Sequence, residues 1–260
     1  MLELKNITKT FSRGLYERHT LFQNLNLSVE REEFVVILGS NGSGKSTLLK
    51  LISGVIFPDT GKVLLRGRDF ASLPLFKRAG SISRVVQDSL EGTIGEFTIL
   101  ENLELAFYRG KRAPFFSKPP QEKFLKKLQG LPLGLEEKLN QTLITLSGGQ
   151  RQVVALLMAT LGTPDLLLLD EHTSALDPKS AKDVMKFTND LVSQEKVTTL
   201  MITHNLQDAV HYGDRLIMLH HGKIVLDVKN EEKSALTLPH LLALFHDLED
   251  QDLVGEKSHA

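Results

Sequence analysis

A lysine placed just after a run of glycines is the first feature of this sequence with chemistry in it. Gly39-Ser40-Asn41-Gly42-Ser43-Gly44-Lys45-Ser46-Thr47 fits the pattern G-x-x-x-x-G-K-[ST]. That pattern binds phosphate when a strand leads into it and a helix leads out. Phe34-Val35-Val36-Ile37-Leu38 supplies the apolar run before it, and Leu48-Leu49-Lys50-Leu51-Ile52 the helical pattern after it. Glycines let successive backbone N–H groups turn inward into an anion-binding nest, and the helix N-terminus adds its positive partial charge. Lys45 then reaches the β- and γ-phosphates of a nucleotide, and the Ser46 hydroxyl meets Mg²⁺.

Three further stretches could complete such a site. Four leucines, Leu166 to Leu169, end in Asp170-Glu171. A carboxylate at a strand end is a hard ligand suited to the loop's Mg²⁺, although an Asp-Glu pair after a strand also begins many solvated loops. Leu146-Ser147-Gly148-Gly149-Gln150 reads, as a bare string, as a turn and N-cap ahead of the helix that begins near Gln150. His204 follows the apolar run Val197 to Ile202, and Gln87 follows the run Ser81 to Val86.

The elements that must position these residues alternate between two periods. Leu2, Leu4 and Ile7 alternate with polar residues, as do Leu21-Phe22 and Leu25 to Val29, which predicts an antiparallel edge, with Phe11 between the two runs. Val63-Leu64-Leu65 is a short strand after the turn Pro58-Asp59-Thr60-Gly61. The leucine run 166–169 suits a buried parallel strand. From Asp88 to Leu161 the pattern turns helical, at Leu100 to Phe107, Glu122 to Gln129 and Gln150 to Leu161, with a Pro- and Lys/Arg-rich loop from Arg109 to Pro120. A helical block between strands predicts an inserted subdomain. A helix from Pro178 to Val192, with proline in its first turn where it is tolerated, is followed by a short helix from Leu206 to Tyr212. A strand pair turns at His221-Gly222, and a terminal amphipathic helix starts near Leu238.

Composition narrows the partners. The chain has 260 residues, 31 basic and 32 acidic side chains and a net charge of −1. That balance leaves no electrostatic footprint for nucleic acid or an anionic membrane surface. With no cysteine, disulfides and thiolate metal sites are excluded. Met1-Leu2-Glu3-Leu4-Lys5-Asn6 lacks the apolar core of a signal peptide, and no apolar run approaches the roughly 20 residues that span a bilayer. The expectation is a soluble chain whose membrane role, if any, runs through a partner.

Taken in order, the phosphate loop, Gln87, Leu146-Ser147-Gly148-Gly149-Gln150, Asp170-Glu171, Ser174-Ala175-Leu176-Asp177 and His204 resemble the motif set of the ATP-binding-cassette (ABC) ATPases over roughly residues 2–228. The resemblance implies an α/β fold: a P-loop NTPase cassette with a RecA-like parallel-sheet core, an antiparallel β subdomain and an inserted α-helical subdomain. The implied layout is one ABC ATPase domain over 1–248, with core 1–87 and 162–230, helical subdomain 88–161 and C-terminal helix 236–248, then a polar tail at 249–260. It implies ATP and Mg²⁺ as ligands. Gly39, Ser40, Asn41, Gly42, Ser43, Gly44, Lys45, Ser46 and Thr47 would bind phosphate, with Thr47 at the α-phosphate, and Phe11 would stack on adenine. Ser46, Gln87 and Asp170 would hold the metal. Glu171 would be the base that polarises water, with Lys45, Gln87 and His204 as the other catalytic groups. Ser147, Gly148, Gly149, Gln150 and Asp177 would meet the nucleotide of a second copy, so that ATP bridges a homodimer. A separate transmembrane permease, an extracytoplasmic substrate-binding protein and a peripheral place on the inner face of the cell membrane complete the implication. One departure is visible: His172 stands where the family usually has proline, and is read as shaping a turn with no chemistry of its own.

Finer resemblance narrows the system. Gln87-Asp88-Ser89-Leu90-Glu91-Gly92-Thr93, Leu156 to Leu161, Asp170 to Lys179 and the stretch from Glu231 to Phe245 are similar to a bacterial importer subgroup serving tryptophan or tyrosine uptake. An exporter or lipid-extraction ATPase shares every catalytic residue and stays open. An ABC-type ATPase acting on nucleic acid or ribosomes is opposed by the neutral charge and the single cassette. A degraded cassette that binds without hydrolysing is opposed by intact Lys45, Asp170, Glu171 and His204.

Overall fold

The computed structural model describes residues 1–13, 17–109, 121–128 and 134–257. Its strands are β1 (Leu2–Arg13), β2 (Glu17–Val29), β3 (Phe34–Gly39), β4 (Thr60–Leu65), β5 (Arg68–Asp69), β6 (Ile82–Val85), β7 (Leu166–Asp170), β8 (Thr198–Ile202), β9 (Arg215–His220) and β10 (Lys223–Lys229). Its helices are α1 (Lys45–Ser53), α2 (Leu75–Ser81), α3 (Ile99–Phe107), α4 (Gln121–Leu128), α5 (Gly148–Leu161), α6 (Pro178–Glu195), α7 (Leu206–His211), α8 (Asn230–Ser234) and α9 (Leu238–Lys257). One sheet runs β2-β1-β4-β5 and is antiparallel. The other runs β10-β9-β3-β8-β7-β6 and is parallel except for the β9–β10 hairpin.

The apolar runs of the sequence are continuous because both faces of the second sheet are covered. Side chains alternate faces along a strand. Val36, Leu38, Leu167, Leu169, Met201, Leu216 and Met218 therefore join one core with helices α3, α5 and α6. Val35, Ile37, Leu166, Leu168, Leu200, Ile202, Ile217 and Leu219 join a second core with α1 and the antiparallel sheet. The result is a layered fold of antiparallel sheet with α1, parallel sheet, and helices. Leu241 of α9 is fully buried in the helical-side core.

Several expectations shift at their edges. Phe11 lies within β1 rather than between strands, opposite His19 of β2, because bulges let the pairing run on past the alternating residues. Helix α2 follows Pro74 and has no counterpart in the sequence pattern, whose apolar residues there, Leu75 and Phe76, are adjacent and show no helical spacing. Helix α9 runs to Lys257, past the expected end at 248 and through most of the stretch read as a polar tail. Once a helix is nucleated, extending it costs far less than starting it, and 249–257 contains no proline to stop it. Most of the basic loop 109–120, and Gln129, lie outside the described residues.

Candidate nucleotide site

Four neighbouring strand ends build the site. In the order β3-β8-β7-β6, the parallel strands deliver at their carboxyl ends the glycine loop, His204, Asp170-Glu171 and Gln87. This is where parallel α/β sheets place ligands, because every strand there hands over to a loop or a helix N-terminus. The ladder itself sets the spacing. Thr203 N–H donates to the Ile37 carbonyl at 3.2 Å, and Glu171 N–H to that of Ile202 at 3.1 Å. Asp170 thus sits on the last rung, opposite Ile202, and Glu171 and His204 emerge just beyond it.

The loop needs its glycines for separate reasons. A Cβ on Gly39 would come within 2.2 Å of the Leu219 carbonyl oxygen, so β3 can approach β9 there only without a side chain. Gly44 has φ of 107°, and its Cβ would meet the Phe22 ring at 2.8 Å. Lys45 is 6% exposed and donates from Nζ to the carbonyls of Gly39 at 2.8 Å and Ser40 at 2.9 Å. Burial pushes this ammonium below the usual lysine range, while Glu171 and Asp170 pull it back up. An ammonium has three protons, and two are spent on the loop, so it tightens the nest while keeping its charge beside two carboxylates. Ser43 is 1% exposed and its hydroxyl is buried without a hydrogen-bond partner, a polar atom at the heart of the loop.

Around the loop, Ser46 Oγ lies 3.5 Å from Asp170 Oδ1. Two hard oxygen donors converge there, and among the described residues no group of three or more His, Cys, Asp or Glu gathers to cage a metal. That donor set fits Mg²⁺, which takes one or two carboxylates and completes its shell with water and phosphate oxygens. Glu171 adopts a left-handed backbone, φ 49°, immediately after β7. Such a conformation costs a non-glycine residue about 1–2 kcal/mol and turns the chain so that Ser174 can donate twice, from N–H at 3.0 Å and Oγ at 2.8 Å, to the Glu171 carbonyl. Glu171 Oε2 and His204 Nδ1 stand 3.4 Å apart. His204 is well exposed, as is Gln87, in the bend just past β6. Phe11 is 38% exposed, with Lys9 Nζ 5.6 Å from the centre of its ring.

The second candidate region is the start of α5. Ser147 is its N-cap in a reciprocal capping box: Gln150 N–H donates to Ser147 Oγ at 3.3 Å, and Ser147 N–H to Gln150 Oε1 at 3.2 Å. Gly148 and Gly149 are small because α6 and the segment leading into it press on them; an added Cβ on Gly148 would meet Leu176, just before α6, and one on Gly149 would meet Ser180 of α6, each at 3.1 Å. Asp177 caps α6, accepting from the N–H groups of Lys179 and Ser180 at 3.2 and 3.0 Å. Bonds from Ser180 first of all hold its carboxyl below the ordinary range. The structure thus gathers the loop, Gln87, Asp170, Glu171 and His204 on one rim, while Ser147 to Gln150 and Asp177 sit at adjoining helix starts. His172 is buried, shares a 3.1 Å hydrogen bond between Nε2 and Thr188 Oγ1, and has its pKa pushed down to about 4 by burial. It faces the core and has no place among the reacting groups.

The motifs alone do not point to three supporting residues. Arg84 binds Asp170 Oδ2 from its Nη2 at 2.6 Å; a charged residue inside the apolar run 82–86 is the one trace of it in the sequence. Gln152, 1% exposed, donates from Nε2 to the Val86 carbonyl at 3.3 Å and ties α5 to the strand end before Gln87. Buried Asn102 accepts from Ile94 N–H at 2.9 Å and donates to the carbonyls of Ile94, Phe97 and Thr98, which fixes the loop between Gln87 and α3. Beside that loop a cavity of about 320 Å³ opens between β6, α3 and α5, with Arg84, Asp88, Leu105 and Met158 on its walls.

Comparison with known proteins gives the family. The sequence profile of the family described as "ABC transporter" matches residues 22–174. The chain is 45% identical over 249 residues to a tyrosine transport ATP-binding protein of Clostridioides difficile, covering 94% of this chain and 98% of that one. It is 36% identical to the ABC transporter ATP-binding protein YxdL of Bacillus subtilis, covering 89% and 88%. Among solved structures, a dimeric ATP-binding cassette in a post-hydrolysis state with ADP and Pi superposes with a TM-score of 0.74 at 33% identity, over 88% of this chain and 98% of that one. With a glycine-rich loop leading into α1, carboxylates at the neighbouring strand ends and a glycine-rich helix start packed on α6, this chain belongs to the ABC transporter family and is one of its ATP-binding, ATP-hydrolysing cassettes.

Proposed function

We propose that the chain is the energy-supplying subunit of a bacterial importer for an amino acid, an aromatic one, and that it works as a homodimer with ATP sandwiched between copies. The observation that carries the reading is the order of strand ends: loop, His204, Asp170-Glu171 and Gln87 stand side by side on one rim. The relative whose name specifies tyrosine transport, matched along nearly its whole length, supports the solute class.

Within one site the backbone amides of 39–47 and Lys45 bind the phosphates and neutralise charge on the group in flight. Thr47 contacts the α-phosphate and Phe11 covers the adenine. Ser46, Asp170 and Gln87 hold Mg²⁺, which when bound draws charge from the phosphate oxygens. Glu171 accepts a proton from water as the water oxygen bonds to the γ-phosphorus, and the bond from that phosphorus to its bridging oxygen breaks, leaving with ADP. His204, 3.4 Å from Glu171, orients base and γ-phosphate. Ser147, with the amides of Gly148 and Gly149 and flanked by Gln150 and Asp177, binds the γ-phosphate held by the other copy, so hydrolysis removes the bridging charge and lets the copies part.

The segment 88–161 acts as a helical subdomain inserted between core segments 1–87 and 162–230, and its cavity beside Asp88 and Leu105 receives a separate membrane permease. Among the described residues no helix is long and apolar enough to cross a membrane, so the subunit sits on the inner face of the cell membrane through that permease. A substrate-binding protein outside delivers the solute.

Glu171→Gln tests the sandwich. It is expected to retain ATP and run as a stable dimer in size-exclusion chromatography with ATP and Mg²⁺; a variant that binds ATP yet stays monomeric would reject the mechanism. Stimulation of the reconstituted ATPase by a tyrosine- or tryptophan-loaded binding protein tests the solute.

A further inference from the structure

Asp170 does not face the phosphate loop alone. Its Oδ1 lies 3.5 Å from Ser46 Oγ, while its Oδ2 takes a 2.6 Å bond from Arg84 Nη2. The two oxygens are divided between two partners on opposite sides. Arg84 comes from β6, the strand hydrogen-bonded to β7, and it reaches along the sheet edge from the wall of the 320 Å³ cavity. Its side chain is 27% exposed and that of Asp170 13%, so solvent screens the pair only in part. The guanidinium is held at a cost: its Nε is buried without a hydrogen-bond partner. A strand that needed only to fill space would be served by an aliphatic residue; this one places a permanent positive charge against the carboxylate expected to hold the metal.

We infer that Arg84 is a positioning residue for the metal site: by taking Asp170 Oδ2 it leaves Oδ1 alone to face Ser46, and its charge weakens the site's grip on a divalent cation. The inference rests on the metal-holding role proposed for Asp170. Two consequences of losing Arg84 oppose each other. A freed carboxylate gains rotational freedom, which weakens ligation slightly. The carboxylate also sheds a competing cation at hydrogen-bond distance, which strengthens ligation, and at such a distance charge outweighs the freedom of one short side chain. The net effect is tighter metal binding, so the native arginine keeps the cation exchangeable when products leave.

The experiment measures Mn²⁺ binding to the ADP-loaded protein by the EPR signal of free Mn²⁺, with fluorescent ADP in EDTA reporting the metal-free phosphate loop. Arg84→Gln and Arg84→Met are expected to bind Mn²⁺ about tenfold more tightly than wild type, with metal-free ADP affinity unchanged. Arg84→Lys, which restores charge, is expected to return Mn²⁺ affinity to within about threefold of wild type. Wild-type or weaker Mn²⁺ affinity in both neutral variants overturns the inference, as does a lysine variant as tight as they are. Asp170→Asn in the wild-type background separates the underlying reading: if it binds Mn²⁺ as wild type does, the metal role of Asp170 fails, whatever the arginine variants do.

Discussion

Two helix starts bear on the same chemistry and are finished in opposite ways. Helix α1 begins at Gly44, a left-handed N-cap with no side chain to satisfy the first amides, and Lys45 adds an ammonium to that open end. Helix α5 begins at Ser147, whose capping box with Gln150 closes two of the donors within the chain. A helix leaves its first amides without intrahelical partners, so the bare end is a ready anion site and the capped one is self-sufficient. The difference teaches that α1 can grip phosphate in a single copy. In the proposed sandwich helix α5 would have to exchange an internal bond of Ser147 for an external one, which would make its engagement weaker and conditional on a second copy arriving.

The comparison can be broken at its strong end first. Lys45→Ala removes the charge from the open helix start and is expected to weaken nucleotide binding on the order of 100-fold or more, read by titration of fluorescent ATP; retained micromolar affinity would contradict the phosphate-loop assignment. Ser147→Ala tests the capped end. It should leave single-copy ATP affinity within about twofold, since the residue belongs to another helix start, and should lower stability by about 0.5–2 kcal/mol through loss of the cap. In the Glu171→Gln background it should also abolish the ATP-dependent dimer; if ATP affinity falls as far as in Lys45→Ala, the two helix starts serve one copy and the contrast fails.

The smallest effect on turnover concerns His172, which separates packing from chemistry next to the glutamate proposed as catalytic base. Its pKa is pushed down to about 4 in the fold against 6.5, so its neutral form is what the folded state accepts. The unfolded chain takes up the proton first as pH falls. Stability from this group is therefore whole above about pH 6.5 and drains as pH falls toward 4, at most on the order of 3 kcal/mol. His172→Asn, which can keep a bond to Thr188, should flatten the urea-midpoint slope between pH 6.5 and 5 relative to wild type, with turnover at pH 7.5 little changed. A large loss of turnover at unchanged stability would place His172 in the chemistry after all.

Much of the site was legible because its motifs are local. The glycine spacing, the lysine and the serine of 39–47 are consecutive, and the strand and helix around them follow from apolar periodicity. Asp170-Glu171 and His204 could be read because each ends a run of residues that only a doubly covered strand tolerates. Arg84, Gln152 and Asn102 could not, since each acts on a partner brought near by folding: a carboxylate on the next strand, a carbonyl at another strand's end, a loop four residues away and beyond. Phe11 and the far end of α9 were misplaced for a related reason. Strand pairing and helix propagation carry elements past the point where side-chain pattern stops marking them.

By itself, then, the amino-acid sequence determined which groups this protein brings to its proposed nucleotide site, because phosphate loops and capping boxes are set by residues a few positions apart. Tertiary structure alone decided their arrangement. The β3-β8-β7-β6 order, which appears nowhere in the chain's linear order, sets His204 between the loop and Glu171, and it lets Arg84 claim one oxygen of Asp170. Hydrogen bonds between strands, not neighbours in sequence, fix those distances.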